Sequence, residues 1–211
     1  MVCPSFIATR IDRNALGGDR PAELTRVILL GQLLVQLPPK ELGVPAIVRL
    51  LVDVVGFYDA VEKFLLIRAR LRDSFVGIEG FAKLDLTGEL VLAMRFGDDP
   101  SFVLSAGGFH PAFKDVPRGV PPSLERLAVS FGIGPLKIRN ENYCAVTSNS
   151  VQGGCKIQVA ADFGVAAIKG HLSFDALLYL SPKFHFLVQL EFQVALEAFG
   201  EDIASVTVRM S

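Results

Sequence analysis

The residues best equipped for chemistry stand close together. His171, Ser173 and Asp175 alternate with Leu172 and Phe174, and His185 follows one turn later. As a hydrolase these would supply base, nucleophile and orienting carboxylate. Their spacing argues otherwise. Residues i and i+2 on a strand point the same way about 7 Å apart, too far for Ser173 to pass a proton directly to His171. No strained nucleophile elbow accompanies the serine. The row is expected to be a solvated strand face, with no catalytic residue, no cofactor and no metal ligand.

Gly107-Gly108-Phe109-His110-Pro111 is the most distinctive loop. One reading is a ligand-gripping turn with His110 as donor or acceptor. The preferred reading is a strand exit, where glycine supplies unusual backbone angles and Pro111 stops further pairing. Asp98-Asp99 lacks the alternating ligands and closing glutamate of a calcium loop, and is expected to be a turn. With Asn149-Ser150 as a two-residue turn, Cys144 and Cys155 face each other on an apolar side. That register makes a hydrogen-bonded pair with Cα atoms about 5.5 Å apart. Two packed thiols are expected rather than a disulfide.

These residues sit on long strands. Every second residue is apolar or glycine from Val76 to Phe96, from Val151 to Ala161, from Ala166 to Leu180 and from Phe184 to Ala198. Such alternation marks strands with one apolar and one wet face. Counting across Ser181-Pro182-Lys183 puts Leu178 opposite Phe186, Ala176 opposite Val188, Phe174 opposite Leu190 and Leu172 opposite Phe192. Asp175 then meets Gln189, and His171 meets Gln193. A one-residue slip would put the apolar residues on opposite faces. The turn at Asp162 to Val165 places Ala161 opposite Ala166 and Cys155 opposite Leu172. Gly97 to Ser101 returns Phe102, Leu104 and Ala106 opposite Phe96, Met94 and Leu92. A single strand from Val76 to Phe96 would approach 70 Å at roughly 3.3 Å per residue, so a break is expected at Asp85 to Gly88. Residues 44–72 alternate as strands, although Ala60 to Leu65 also suits a helix; β-branched content favours strands. Pro111 to Pro122 is a proline-rich connection.

The chain has 211 residues, 51% of them hydrophobic, with 19 Gly, 16 Phe, no Trp and a net charge of −1. The charge balance gives no electrostatic case for nucleic acid or an anionic membrane surface. No apolar segment is long enough for a transmembrane helix, since Arg49 and Asp53 interrupt the greasiest one. Arg10, Asp12 and Arg13 stand where a signal peptide needs its apolar core, so a cytoplasmic location is favoured. Three cysteines argue against a secreted disulfide framework.

GDDPSFVLSAGGFHPAF (Gly97 to Phe113), VTSNSVQGG (Val146 to Gly154) and GHLSFDALLYLSPKFHF (Gly170 to Phe186) resemble a family of uncharacterised β-rich domains of very large bacterial proteins. That family usually has a bulky residue where this chain has Gly153 or Gly154, and often Phe in place of Lys183. The resemblance implies an antiparallel β architecture and carries no activity.

The expected fold is therefore all-β: an antiparallel meander of about ten strands with one apolar face, curled into a barrel-like or sandwich-like sheet or left as an open trough. Residues 1–23 are expected to be an irregular N-terminal segment. Residues 24–211 are expected to form a single β module, part of a longer chain. Leu172, Phe174, Phe186, Val188, Leu190 and Phe192 should be buried. Lys169, Asp175, Gln189, Glu191 and Gln193 should face water. The function expected is a non-enzymatic structural or binding module of a larger protein or assembly. The alternative is a trough carrying a lipid or other apolar ligand, lined by Leu84, Leu92, Leu172 and Phe192. A membrane barrel would want aromatic girdles that three Tyr and no Trp hardly provide.

Overall fold

The computed structural model describes residues 2–13, 24–78, 82–199 and 201–211. Its strands are β1 (Val2–Arg13), β2 (Leu24–Leu37), β3 (Val48–Asp59), β4 (Phe64–Ile78), β5 (Ala82–Arg95), β6 (Ser101–Ala106), β7 (Leu127–Ile133), β8 (Leu136–Thr147), β9 (Ser150–Asp162), β10 (Ala166–Tyr179), β11 (His185–Ala198) and β12 (Glu201–Met210). All join one antiparallel sheet in the order β1-β2-β3-β4-β5-β6-β8-β9-β10-β11-β12, with β7 between β5 and β8. The sheet curls without closing into a barrel: β1 pairs with β2, and β12 with β11, at opposite ends. Among the described residues there is no α-helix. No described helix is long and apolar enough to cross a membrane.

Within residues 44–72, 48–59 and 64–72 are strand, as the β-branched content suggests, and the chain turns at Ala60–Lys63. Val2–Arg13, expected to be irregular, is instead a strand paired with β2; residues 14–23 lie outside the described ones. The long alternation from Val76 to Phe96 reverses between Ile78 and Ala82, whose Cα atoms are partners, and not at Asp85 to Gly88.

Gly88 marks a different event. Below it, Leu84–Thr87 pair with β7; above it, Leu90–Arg95 pair with β6. On the other side β8 spans both, pairing β7 through Leu136–Asn142 and β6 through Cys144–Thr147. Thus β6 and β7 act as one strand interrupted in the middle. At the interruption residues 107–126 leave the sheet and cross one face as a strap. Glu89 ties down both ends of the strap: its carbonyl accepts the Gly107 N–H at 2.7 Å, and its own N–H donates to the Glu125 carbonyl at 3.0 Å. Gly107 has φ +75°, and a Cβ there would lie 2.8 Å from the Leu127 nitrogen, so the exit requires glycine.

The β10–β11 register agrees with the count from the sequence at every pair named above. Three other turns are shifted by two residues. Ser148 and Asn149, rather than Asn149 and Ser150, form the turn between β8 and β9, so Val146 meets Val151. Cys155 meets Phe174, and Ala161 meets Ile168. Leu104 meets Leu92. A shift of two keeps each side chain on its face, so alternation alone does not detect it. The cysteine pairing fails with it: Cys144 stands opposite Gly153 and Cys155 opposite Asn142, and both thiols are free. Cys144 is exposed rather than packed in a core.

The core lies on the face that the alternation marks as wet. Val91, Ala93, Val103, Ala145 and Leu177 point there from the sheet, and Phe109, Phe113 and Val120 of the strap cover them. Val91 and Ala145 have no exposed surface. Each large strap side chain contributes roughly 1.5–3 kcal/mol by leaving water. Phe113 stacks on Phe109 at 5.7 Å between ring centres and leans on Tyr179 at 6.1 Å. The opposite face, which carries the long apolar series, is open. Leu172, Phe174 and Phe192 are 42%, 41% and 43% exposed, and Phe186 is 67% exposed. Val188 is also exposed and Leu190 half-buried, which corrects the expectation that these six are buried. Of the residues expected in water, Lys169 and Gln189 are exposed, while Asp175, Glu191 and Gln193 are half-buried. The reversal has a simple cause: the strap can cover only one face, and its own apolar residues choose the one with Val91, Ala93 and Leu177.

Candidate functional site

The sheet offers three places where a partner or ligand could act: the strap loop, the wet face beyond it, and the open apolar face. Their residues are fixed by cross-strand rows.

The Gly107-Gly108-Phe109-His110-Pro111 loop is the entry of the strap; its first four residues are buried and Pro111 is exposed. His110 is 1% exposed. Its backbone N–H donates to Gln152 Oε1 at 2.8 Å, and its Nδ1 accepts the Ala112 N–H at 3.0 Å. Gln152 is itself held by the Ser150 hydroxyl, which bonds Thr147. The Gly108 carbonyl accepts the Ser105 hydroxyl at 2.8 Å. Arg126, at the far end of the strap, donates to the Gly107 and Phe109 carbonyls, both at 2.9 Å, and lies 3.9 Å over the Tyr143 ring. The arrangement is that of a strand exit locked in place, with His110 turned inward. Burial holds the His110 imidazole below its ordinary pKa, opposed by Asp175 and reinforced by Arg126. Its Nε2 is buried without a partner among the described residues.

The lock continues into the sheet. Tyr143, Gly154 and Asp175 form one row across β8, β9 and β10. The Tyr143 hydroxyl reaches over Gly154 and donates to Asp175 Oδ1 at 2.8 Å. A Cβ on Gly154 would press into the Tyr143 ring and sit 2.7 Å from Asp175 Oδ1. The absence of a side chain at 154 is what lets the tyrosine cross. Burial, and then the Asp175 bond, push the Tyr143 phenol up, so it stays a donor. Glu89 anchors the other end. Its carboxylate accepts Arg68 at 2.7 and 2.8 Å and the Glu125 N–H at 3.1 Å. Burial alone would raise its pKa, but the Arg68 hydrogen bond, the Glu125 N–H and the charges of Arg68 and Arg70 outweigh burial and hold it low.

The hydrolase candidates are not brought together. His171 Nε2 lies 3.3 Å from Glu191, whose carboxylate also takes Arg209, and Asp175 serves Tyr143. His185 stacks on Tyr179 with ring centres 4.5 Å apart. His171, Asp175 and His185 are each engaged with a different partner. Beyond the strap, however, His171 joins a concavity of about 710 Å³ lined from β5, β7, β8, β9, β10 and β11. Six strands lining one hollow means that the sheet curls toward its wet face.

The open face is therefore the outer one. Its rows can be followed strand by strand: Leu29, Gly56, Ile67, Leu92, Leu104, Val146, Val151, Leu178 and Phe186 form one, and Gly31, Val54, Ala69, Leu90, Ala106, Cys144, Gly153, Ala176 and Val188 the next. None is charged. Leu84, Leu172 and Phe192 are exposed here and Leu92 is half-buried; Leu172 and Phe192 are direct partners. The four do not enclose a channel, and none lines the concavity.

Sequence reasoning missed the strap. The signals were present: apolar Phe109, Phe113, Val116, Val120 and Leu124 recur through the proline-rich connection, and Val91, Ala93, Leu177 and Leu187 interrupt wet-face positions. Among the described residues no group of three or more His, Cys, Asp or Glu is placed to hold a metal ion.

The model of a family of unknown function (DUF6603) matches residues 21–211. The chain belongs to this family. That agrees with the uncharacterised β-rich domain family that the three motifs resemble. No curated protein and no solved structure matches the chain.

Proposed function

We propose that the chain is a non-enzymatic structural and binding module, one wall of a larger protein or assembly. The observation that carries this is the uncharged, uncovered outer face. The accessible surface is 13788 Å², whereas a compact chain of 22.8 kDa exposes about 9600 Å². The excess of roughly 4000 Å² is several times the ~800 Å² that each partner buries in a stable interface. A face of this size and composition is stable in water only when covered. Other domains of a longer chain, or subunits of an assembly, supply the cover. The separate engagements of His171, Asp175 and His185 support the non-enzymatic part of the reading.

The test is a pair of substitutions, Leu172→Lys with Phe192→Lys. Both sites are already more than a third exposed, so the melting temperature should hold while self-association and binding of an apolar dye fall. Loss of folding in the double variant would overturn the assignment of the outer face. Native mass spectrometry of the gently purified chain separates a protein partner from the alternative occupant, a lipid. Stoichiometric co-purified lipid would replace the scaffold reading by lipid carriage.

A further inference from the structure

We propose that the strap is an acid-released latch: proton uptake by His110 frees residues 107–124 from the wet face and uncovers a second apolar surface while the sheet stays folded. The latch is one buried imidazole that satisfies its neighbours only while neutral. His110 Nδ1 accepts the Ala112 N–H at 3.0 Å. A neutral imidazole has one acceptor nitrogen, so its proton sits on Nε2. A second proton must enter at Nδ1. That atom then becomes a donor facing the Ala112 N–H, and the bond is lost. The same bend carries the Phe113 N–H on the His110 carbonyl at 2.9 Å, so the loss loosens the turn that seats the Phe113 ring.

The surroundings do not accommodate the charge. The ring is 1% exposed. Burial disfavours its charged form most strongly, Asp175 of β10 partly offsets this, and Arg126 adds to it. Arg126 cannot swing away without releasing the Gly107 and Phe109 carbonyls. Asp175 already takes the Tyr143 hydroxyl on Oδ1. Glu89 of β5 is occupied by Arg68 and by the Glu125 N–H. The other neighbours are neutral: Gln152 of β9 accepts the His110 N–H, and Tyr143 of β8 stays a donor. The closed strap also keeps the His110 Nε2–H without a partner among the described residues. Water satisfies that donor on opening.

The strap can leave without the sheet. Val91, Val103, Ala145 and Leu177 beneath it stand on β5, β6, β8 and β10, each paired on both sides by its own neighbours. From Pro111 to Leu124, among the described residues, the hydrogen bonds to the sheet are Arg95 to the Arg118 carbonyl at 3.4 Å and the Tyr179 hydroxyl to Asp115 at 3.3 Å. Both are long and exposed. Apolar packing of Phe113 and Val120 holds the rest. The open state takes up the proton first. The closed strap is therefore fully favoured above pH 6.5, the ordinary histidine value, and weakens as pH falls toward the closed-state value. One proton changes the opening equilibrium by up to about tenfold per pH unit.

The test is hydrogen exchange of the 211-residue chain between about pH 7.5 and about pH 5, read peptide by peptide and corrected for the intrinsic pH dependence of exchange. Protection of residues 109–113 should fall by at least about tenfold while that of β9 and β10 holds. In proton NMR one of the three imidazoles should titrate below pH 6.5, and the fall in strap protection should run from pH 6.5 down to its midpoint. His110→Asn keeps an acceptor for the Ala112 N–H and should make strap protection independent of pH in this range. Exchange and NMR on the unaltered chain decide the matter if that variant does not fold. Strap protection that ignores pH, or that falls only together with β9 and β10, would overturn the proposal. An unchanged fall in the His110→Asn chain would do the same.

Discussion

Replacing Phe113 by alanine should cost far more stability than replacing Phe186 by alanine, although the sequence pattern says the reverse. Phe186 belongs to the long apolar series, while Phe113 stands in a proline-rich connection. The structure exchanges their roles. Phe113 is 6% exposed and packed between Phe109 and Tyr179. Its truncation removes a nearly complete burial and leaves a cavity under the strap, a loss of about 3–5 kcal/mol. Phe186 keeps only a third of its surface from water. A third of the roughly 1.5–3 kcal/mol for full burial is about 0.5–1 kcal/mol, with no cavity to add. For a chain of this length each kcal/mol moves the melting temperature by about 2–4 °C. Phe113→Ala should therefore melt roughly 6–20 °C lower, and Phe186→Ala no more than about 4 °C lower. Thermal unfolding followed by circular dichroism reads both. Equal losses, or a larger loss for Phe186→Ala, would refute the placement of the core under the strap.

Two further outcomes follow from the locked strap. Gly154→Ala puts a methyl group against the Tyr143 ring and Asp175, and should cost about 1–3 kcal/mol in urea unfolding; Gly153→Ala, which meets only the Tyr143 carbonyl at 3.7 Å, should cost little. Stability should also fall with acidification below pH 6.5, the ordinary value for histidine, because buried His110 is held below it and the unfolded chain takes up the proton first. The full contribution is present above pH 6.5 and is lost as pH falls toward the folded-state value. His110→Asn keeps an acceptor for the Ala112 N–H and should flatten that part of the stability profile; an unchanged slope would show that His110 is not its source.

Most strands beyond residue 44, their antiparallel order and the face on which each of their side chains lies were legible in the sequence, whereas β1 and the reversal between Ile78 and Ala82 were not. Alternation with a period of two is a local property, and strands impose it wherever the chain folds into a sheet. The β10–β11 register was legible as well, because Ser181-Pro182-Lys183 admits one loop length that keeps Leu172 against Phe192. Elsewhere the count stopped at parity. A two-residue shift at Ser148-Asn149 leaves every face unchanged, so turn geometry and not hydrophobic pattern set the partner of Cys155.

Which face is buried was decided only by the tertiary structure. Alternation says that Leu172 and Phe174 share a side; it does not say that anything covers that side. Coverage depends on residues 107–126, whose apolar side chains follow neither strand nor helix periodicity. Only when Glu89 pins both ends of that segment across the gap between β6 and β7 do Phe109 and Phe113 meet Val91 and Leu177. The concavity has the same origin. Lys137, Ala160 and Lys169 are far apart in the chain, and a row across three strands exists only once the registers of β8, β9 and β10 are fixed.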